Sequence, residues 1–311
     1  MPIGFAELDR AVVTIRAGGL VAFPTETVYG LGANALNPVA VARIFAAKGR
    51  PSTNPLIVHV SDASQVPPLV ESWPGLAEKL AKMFWPGPLT IVVRKSALIP
   101  DIVTGGGPTV ALRCPNHPVA FALLQACGVP IAAPSANRSG ELSPTTAEHV
   151  RKSLAGQYDV LLDGGPCLGG LESTVVEITP TGVRLLRPGL IGVHALEEVV
   201  GRIEYGPIPT SAEAPALSPG LLTRHYAPRT ALECANNPSD ANFLVQLYET
   251  AGLKVARYEC TSSPSDAATR LYADLHTLDA GAFDRIIATL PPDTEEWRTV
   301  RDRLMRASAE E

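Results

Sequence analysis

The chain has 311 residues, of which 46% are hydrophobic, 5% aromatic and 18% charged, with a formal net charge of −5. That length fits two domains, and the charge balance excludes a bulk nucleic-acid binder, whose affinity rests on many phosphate contacts. The charge is unevenly placed: residues 1–206 carry 16 basic and 16 acidic side chains, residues 207–311 carry 10 and 15, so a local cation cluster for one nucleotide remains open.

In chain order, Phe5, Leu8, Val12 and Ile15 recur at helical spacing and Gly18-Gly19 is the expected stop. Leu20 to Phe23 reads as a short buried strand. Asn37-Pro38 predicts an N-cap with proline at N1 of a helix running to Lys48. Strands are expected at 56–60, 89–94, 109–113, 129–133, 160–162, 174–178 and 183–186, and helices at 75–84 and 117–127. A further helix is expected from Ser143-Pro144 by the same cap logic. The glycine runs are weak signals. Gly30-Leu31-Gly32 reads as a turn, and Gly105-Gly106-Gly107 and Gly169-Gly170 as mobile loops. Residues 207–228 hold five prolines and little periodicity, which predicts a stiffened linker. Residues 229–311 alternate helix and strand again, with helices in 243–247, 267–278 and 297–305 and strands in 254–257 and 285–290. Interleaved helices and strands predict an α/β or α+β fold, divided as 1–206, a linker at 207–228 and a short terminal unit at 229–311.

The cysteines are Cys114, Cys127, Cys167, Cys234 and Cys260. None forms a C-x-x-C pair, so no structural zinc is expected, and the odd number predicts reduced thiols. With no signal-peptide pattern at Met1–Glu7 and no apolar run of transmembrane length, the expectation is a cytoplasmic protein without membrane contact.

Two segments carry the chemistry. Lys48-Gly49-Arg50 places two cations at the end of the predicted helix, where they can grip a polyphosphate, with Ser52 close behind. The bland alternative is a solvated helix end with two charges on the C-terminal dipole. Pro134-Ser135-Ala136-Asn137 presents a hydroxyl and an amide as an apolar strand ends, where ligands of open α/β sheets often bind. Arg113, at the end of its strand, can fork onto a carboxylate. Thr145, near a helix start, can offer a hydroxyl to phosphates. His59 lies in an apolar strand, where a satisfied core histidine is the ordinary explanation.

These segments sit in longer strings: Phe23-Pro24-Thr25-Glu26-Thr27-Val28-Tyr29-Gly30-Leu31-Gly32, Ala46 to Val60, Ser173-Thr174-Val175, Leu186-Arg187-Pro188-Gly189, and Ser218-Pro219-Gly220 through Arg224-His225-Tyr226-Ala227-Pro228. Taken together they resemble the YrdC/Sua5 family, in its longer, two-domain branch. The resemblance covers residues 5–228 well and the last 80 or so weakly. It implies a YrdC-like twisted mixed sheet around a cleft, plus a small Rossmann-like α/β Sua5 domain, and it favours a linker, 207–228, that folds over the cleft as a lid rather than a plain surface crossing. No Gly-rich dinucleotide fingerprint occurs in that last part.

The resemblance also implies an L-threonylcarbamoyladenylate synthase. Such an enzyme joins L-threonine, bicarbonate or CO2 and ATP into threonylcarbamoyl-AMP and pyrophosphate, the first step of N6-threonylcarbamoyladenosine formation on tRNA. The implied catalytic set is Lys48, Arg50, Ser135 and Asn137. The implied threonine pocket is Thr25, His59, Arg113, Ser135 and Ser173. ATP contacts fall to Lys48, Arg50, Ser52, Thr109, Asn137, Thr145, Arg187 and Tyr226. Mg2+ is expected with ATP, without a protein-held metal, because no carboxylate cluster marks one. A downstream threonylcarbamoyl-transferase complex would consume the product, so tRNA is an indirect partner.

Two other readings compete. One is an RNA-binding module of the same fold without catalysis, disfavoured by the neutral charge of residues 1–206 and the lack of an aromatic stacking row. The other is a carbamoyl-transfer or maturation protein sharing the domain, weakened by the absence of an acylphosphatase-like segment and of paired C-x-x-C motifs.

Overall fold

The computed structural model describes residues 4–206 and 225–309. The first helix, α1 (Phe5–Arg16), ends where Gly18 takes φ 83°. Strands β1 (Val21–Phe23) and β2 (Gly30–Asn34) follow. Helix α2 (Pro38–Lys48) starts as its sequence dictates: the Asn37 side chain accepts from the amides of Val39 and Ala40, and Gly49 closes the helix at φ 60°. Next come β3 (Ile57–His59), α3 (Gly75–Phe84), β4 (Leu89–Arg94), β5 (Thr109–Arg113), α4 (Pro118–Cys127) and β6 (Ile131–Ala132). Then α5 (Ala147–Ser153), β7 (Val160–Leu161), β8 (Thr174–Thr179), β9 (Gly182–Arg187), α6 (Val193–Val200) and β10 (Ile203–Tyr205) complete the first unit.

Its ten strands form one mixed sheet in the order β10-β9-β8-β4-β5-β3-β6-β2-β1-β7. Parallel β3 and β5 align His59 with Arg113 and Ile57 with Ala111. Side chains alternate across a strand, so these four share a face. Val58 and Leu112 point the other way, into the main core with α2, α3 and α6. On the first face, α1 and α4 cover one end, packing on Val21, Phe23 and Val160. The rest of that face is a cleft with an apolar floor of Ile57, Val92, Ala111 and Val175.

The terminal unit runs β11 (Ala231–Ala235), α7 (Pro238–Thr250), β12 (Val255–Glu259), α8 (Pro264–Asp279), β13 (Arg285–Thr289) and α9 (Arg298–Ser308). Its sheet has three parallel strands in the order β11-β13-β12. Its core joins the first unit through Val28, Leu142 and Leu171. Among the described residues no helix is long and apolar enough to cross a membrane, and the five cysteines are unpaired.

Several local expectations are corrected. Gly30-Leu31-Gly32 is strand, not turn; the glycine is needed because a Cβ on Gly32 would stand 2.7 Å from Ile131 and Phe23 side-chain atoms. Each of the other two glycine runs has a closely packed position, while Gly106 faces open space. A Cβ on Gly105 would meet the Thr53 carbonyl oxygen at 2.6 Å, and one on Gly170 would meet that of Thr269 at 2.1 Å. Ser143 does not cap a helix. Thr146 caps α5, and the Ser143 hydroxyl donates to Glu172 instead. The proline-rich stretch falls largely on residues 207–224, outside the described residues.

Candidate active site

A cavity of about 50 Å³ opens on the cleft face. Five residues expected to meet threonine line it together: Thr25, His59, Arg113, Ser135 and Ser173. Arg50, Arg187 and Tyr226, from the expected ATP set, line it too. They arrive from separate places: the β1–β2 loop, β3, β5, the loop after β6, the start of β8, the end of β9 and the chain re-entering at His225. Sheet register brings them together. His59 lies opposite Arg113, Gly30 bridges Ser135, and Val175 pairs with Arg187.

Arg113 is buried, with Nη2 2.9 Å from the Thr27 hydroxyl, to which it donates, and 2.7 Å from Glu26 Oε1. The latter is an ion pair; both Glu26 oxygens lack a hydrogen-bond partner, as do Arg113 Nε, His59 Nδ1 and His225 Nδ1. Buried polar atoms are almost always paired. This concentration of unsatisfied donors and acceptors is what a small polar ligand would resolve. Burial, with Arg113 nearby, pushes His59 down to about 3. Burial, with Arg50, does the same to His225. Both imidazoles are therefore neutral at physiological pH. They are poor bases there but good hydrogen-bonding partners.

Ser173 Oγ lies 2.8 Å from Thr90 Oγ1 and accepts from Arg187 Nη2 at 3.1 Å. Arg187 also donates to the Ser173 carbonyl and, at 3.5 Å, from Nη1 to the Tyr226 hydroxyl. Arg50 donates to the Asn54 side chain at 2.5 Å and to the carbonyls of Asn54 and Pro55. Burial lowers its guanidinium to about 10.

The two-cation fork is not open as the sequence reading expects. Lys48 does not line the cavity. Its ammonium, 2% exposed, donates to the carbonyls of Ser135 and Asn137. Burial and the neighbouring Arg50 charge drive its pKa well below the ordinary lysine value, and the carbonyl acceptors favour its charged form. It thereby ties the end of α2 to the loop carrying Ser135. Asn137 is turned inward as well, donating to the carbonyls of Arg138 and Glu141. Thr145 is buried against His149, Ser52 is exposed, and Thr109 starts β5, four residues and roughly 13 Å along the strand from Arg113. None of these five lines the cavity. The sequence reading missed Glu26, Thr27, Glu172 and His225, although each is the immediate neighbour of a chosen residue or, in the case of Thr27, two positions from Thr25.

Among the described residues no group of three or more His, Cys, Asp or Glu side chains could hold a metal ion. Glu172, in the cavity lining, and Glu26, outside that lining, are each set against a guanidinium, of Arg303 and Arg113 respectively.

A buried cleft lined by three guanidiniums, hydroxyls and neutral imidazoles, on the face of a twisted mixed sheet, defines a protein that receives a compact polyanionic or zwitterionic ligand. The family model described as "Telomere recombination" (Sua5_yciO_yrdC) matches residues 13–189, and that described as "Threonylcarbamoyl-AMP synthase, C-terminal domain" matches residues 191–309. The chain belongs to the Sua5/YciO/YrdC family. It is 42% identical to the threonylcarbamoyl-AMP synthase of Pyrococcus abyssi, over 94% of this chain and 92% of that one. It is also 42% identical to that of Bacillus subtilis, over 97% and 93%. The crystal structure of P. abyssi Sua5 complexed with L-threonine superposes with a TM-score of 0.93 at 40% identity, covering 99% of this chain and 96% of that one.

Proposed function

We propose that this chain is an L-threonylcarbamoyladenylate synthase, a nucleotidyl-transferring enzyme. The observation that carries the reading is the convergence of Thr25, His59, Arg113, Ser135 and Ser173 on one cavity, in a chain that matches nearly end to end a Sua5 complexed with L-threonine.

In this reading Arg113 Nε and Ser173 receive the threonine carboxylate, and Glu26 accepts from the amine. The amine nitrogen attacks the bicarbonate carbon and water leaves, giving a carbamate. A carbamate oxygen then attacks the α-phosphorus of ATP, the bond to the bridging oxygen breaks, and pyrophosphate departs with that electron pair. No protein nucleophile is required; catalysis is positioning plus stabilisation of phosphate charge. Arg50 and Arg187 are assigned to the phosphates. Lys48 and Asn137 fix the Ser135 loop, and Lys48 adds positive charge behind it. Thr145, Ser52 and Thr109 would reach ATP only where it extends beyond the cavity. Mg2+ would arrive on the triphosphate, whose charge it neutralises, with water completing its shell.

We assign residues 1–206 to the catalytic unit, 229–311 to the terminal unit and 207–228 to a linker that serves as a lid. Of that span only residues 225–228 are described, and His225 and Tyr226 among them line the cavity. The product, a reactive mixed anhydride, would pass to a cytoplasmic threonylcarbamoyl transferase acting on tRNA.

The test is product formation. The chain is incubated with L-threonine, bicarbonate and ATP–Mg2+, and threonylcarbamoyl-AMP is measured by mass. Product that requires all three substrates is expected. Folded protein that yields none, or that releases pyrophosphate without threonine, would sink the reading.

A further inference from the structure

Arg303 is a fully buried guanidinium on α9 of the terminal unit. It donates from Nε to Glu172 Oε2 at 2.9 Å and from Nη2 to the Pro188 carbonyl at 3.0 Å. Its guanidinium carbon lies over the Tyr226 ring, 4.9 Å from the centroid. Each of these three contacts adjoins the cavity. Glu172 lines it and precedes Ser173; Pro188 follows Arg187; Tyr226 lines it directly. Glu172 and Pro188 flank the paired strands β8 and β9, Tyr226 enters from a later segment, and one side chain of the terminal unit joins them.

We propose that Arg303 is a positioning residue for the cleft, through which the terminal unit sets the geometry of Ser173, Arg187 and Tyr226. Two features of the site support this. Both Glu172 oxygens are taken, by Ser143, Tyr272 and Arg303. Burial alone would raise the Glu172 carboxyl, yet Arg303 and Arg187 outweigh burial and hold it at about 2. It is thus a fixed anion rather than a titrating base. Second, Tyr226 sits at φ 62°, a left-handed conformation uncommon for a bulky residue, which persists only where the surroundings over-determine it. Arg303 on one side of the ring, Tyr272 at 5.8 Å and the Arg187 guanidinium at the hydroxyl supply that constraint. Lysine could keep the charge beside Glu172. It would lose the guanidinium contact on the Tyr226 ring and the fork that also reaches Pro188.

The activity arm of the test rests on the synthase reading; the exchange arm does not. In the full chain, Arg303→Lys and the charge-balanced double variant Glu172→Gln/Arg303→Met are compared with wild type. The double variant is included because Arg303→Met alone would strand a buried carboxylate and threaten folding. Amide hydrogen exchange is read without substrate over segments 172–175, 187–190 and 225–228. Exchange there is expected to rise roughly tenfold in both variants while β11, β12 and β13 keep wild-type protection. In Arg303→Lys, kcat/KM for threonylcarbamoyl-AMP is expected to fall by about tenfold or more while Tm stays within a few degrees. Wild-type exchange at the three segments, or a uniform rise across the terminal unit, would overturn the proposal, as would activity that merely follows Tm. A wild-type chain that makes no adenylate would refute the synthase reading and leave exchange to decide the role of Arg303.

Discussion

The two units bury very different things. The first buries Thr25, Thr27, Lys48, Arg50, His59, Arg113, Asn137, Glu172, Ser173 and Arg187, whereas among the described residues beyond 228 Arg303 is the single buried polar or charged side chain of that set. The interior of the terminal unit is otherwise apolar, built on Leu271, Leu275, Ile286, Ala288, Val300 and Leu304. Burying a polar group is costly unless it is paired. The first unit bears this cost repeatedly and even leaves atoms unpaired at one cavity. The terminal unit brings Arg303 and the buried Tyr272 hydroxyl to Glu172, at the same cavity. The buried polar groups are therefore concentrated in the ten-stranded unit, and the three-stranded unit meets them through Arg303 and Tyr272 at Glu172.

The contrast makes graded predictions. The largest effect is expected from Arg50→Ala and Arg187→Ala. Each removes a guanidinium from the cavity and should reduce threonylcarbamoyl-AMP formation by at least about a hundredfold, while Met305→Ala, on the exposed side of α9, should change nothing. Lys48→Ala should lose activity together with stability, because its ammonium holds two loop carbonyls; comparing urea unfolding of the three variants separates these cases. Equal losses from the Met305 variant would break the comparison.

Substrate discrimination comes next. Valine should be rejected by roughly a hundredfold or more in kcat/KM, because it leaves hydroxyl partners unpaired. Serine, lacking one methyl, should lose about tenfold or less. Similar turnover of valine and threonine would mean that the cavity does not read the hydroxyl.

A pH effect follows from the buried imidazoles. His59 and His225 sit near 3, and burial beside His276 puts His149 at about 4. The unfolded chain takes up these protons at higher pH than the folded one. Their contribution is therefore complete above the unfolded value of about 6.5 and declines as pH falls towards 3, by at most about 1.4 kcal/mol per pH unit for each histidine. Urea unfolding from pH 7.5 to 4.5 should show this slope, and His59→Asn or His225→Asn should flatten it. An unchanged slope in both variants would contradict the burial argument. The smallest effect belongs to the surface: Arg94→Ala, which breaks an exposed ion pair with Glu71, should shift stability by no more than about 0.5 kcal/mol and leave activity intact.

Local signals were readable from the chain. Asn37-Pro38 and Gly49 delimit α2 because capping chemistry is contained in a few adjacent residues. At Ser263-Pro264 the same chemistry starts α8, the Ser263 side chain accepting from the Asp266 amide. Non-local features were not readable. β2 looks like a turn because its glycines answer to Phe23 and Ile131, one of them about a hundred residues away. β11 carries little pattern of its own and exists through parallel pairing with β13. The same holds at the site. Lys48 was recognisable as a cation near the cleft. That it would turn onto the Ser135 and Asn137 carbonyls depends on a loop 87 residues distant. Glu172 and Arg303 are 131 residues apart, and no spacing connects them.

The claim that the buried polar set is a substrate site, rather than structural pairing, is tested most directly by calorimetric titration of L-threonine into wild type and Arg113→Gln. Saturable one-site binding by wild type is predicted, weakened at least about tenfold when the guanidinium that faces the carboxylate is neutralised. Equal affinity in the two proteins, or no binding by folded wild type, would contradict the account.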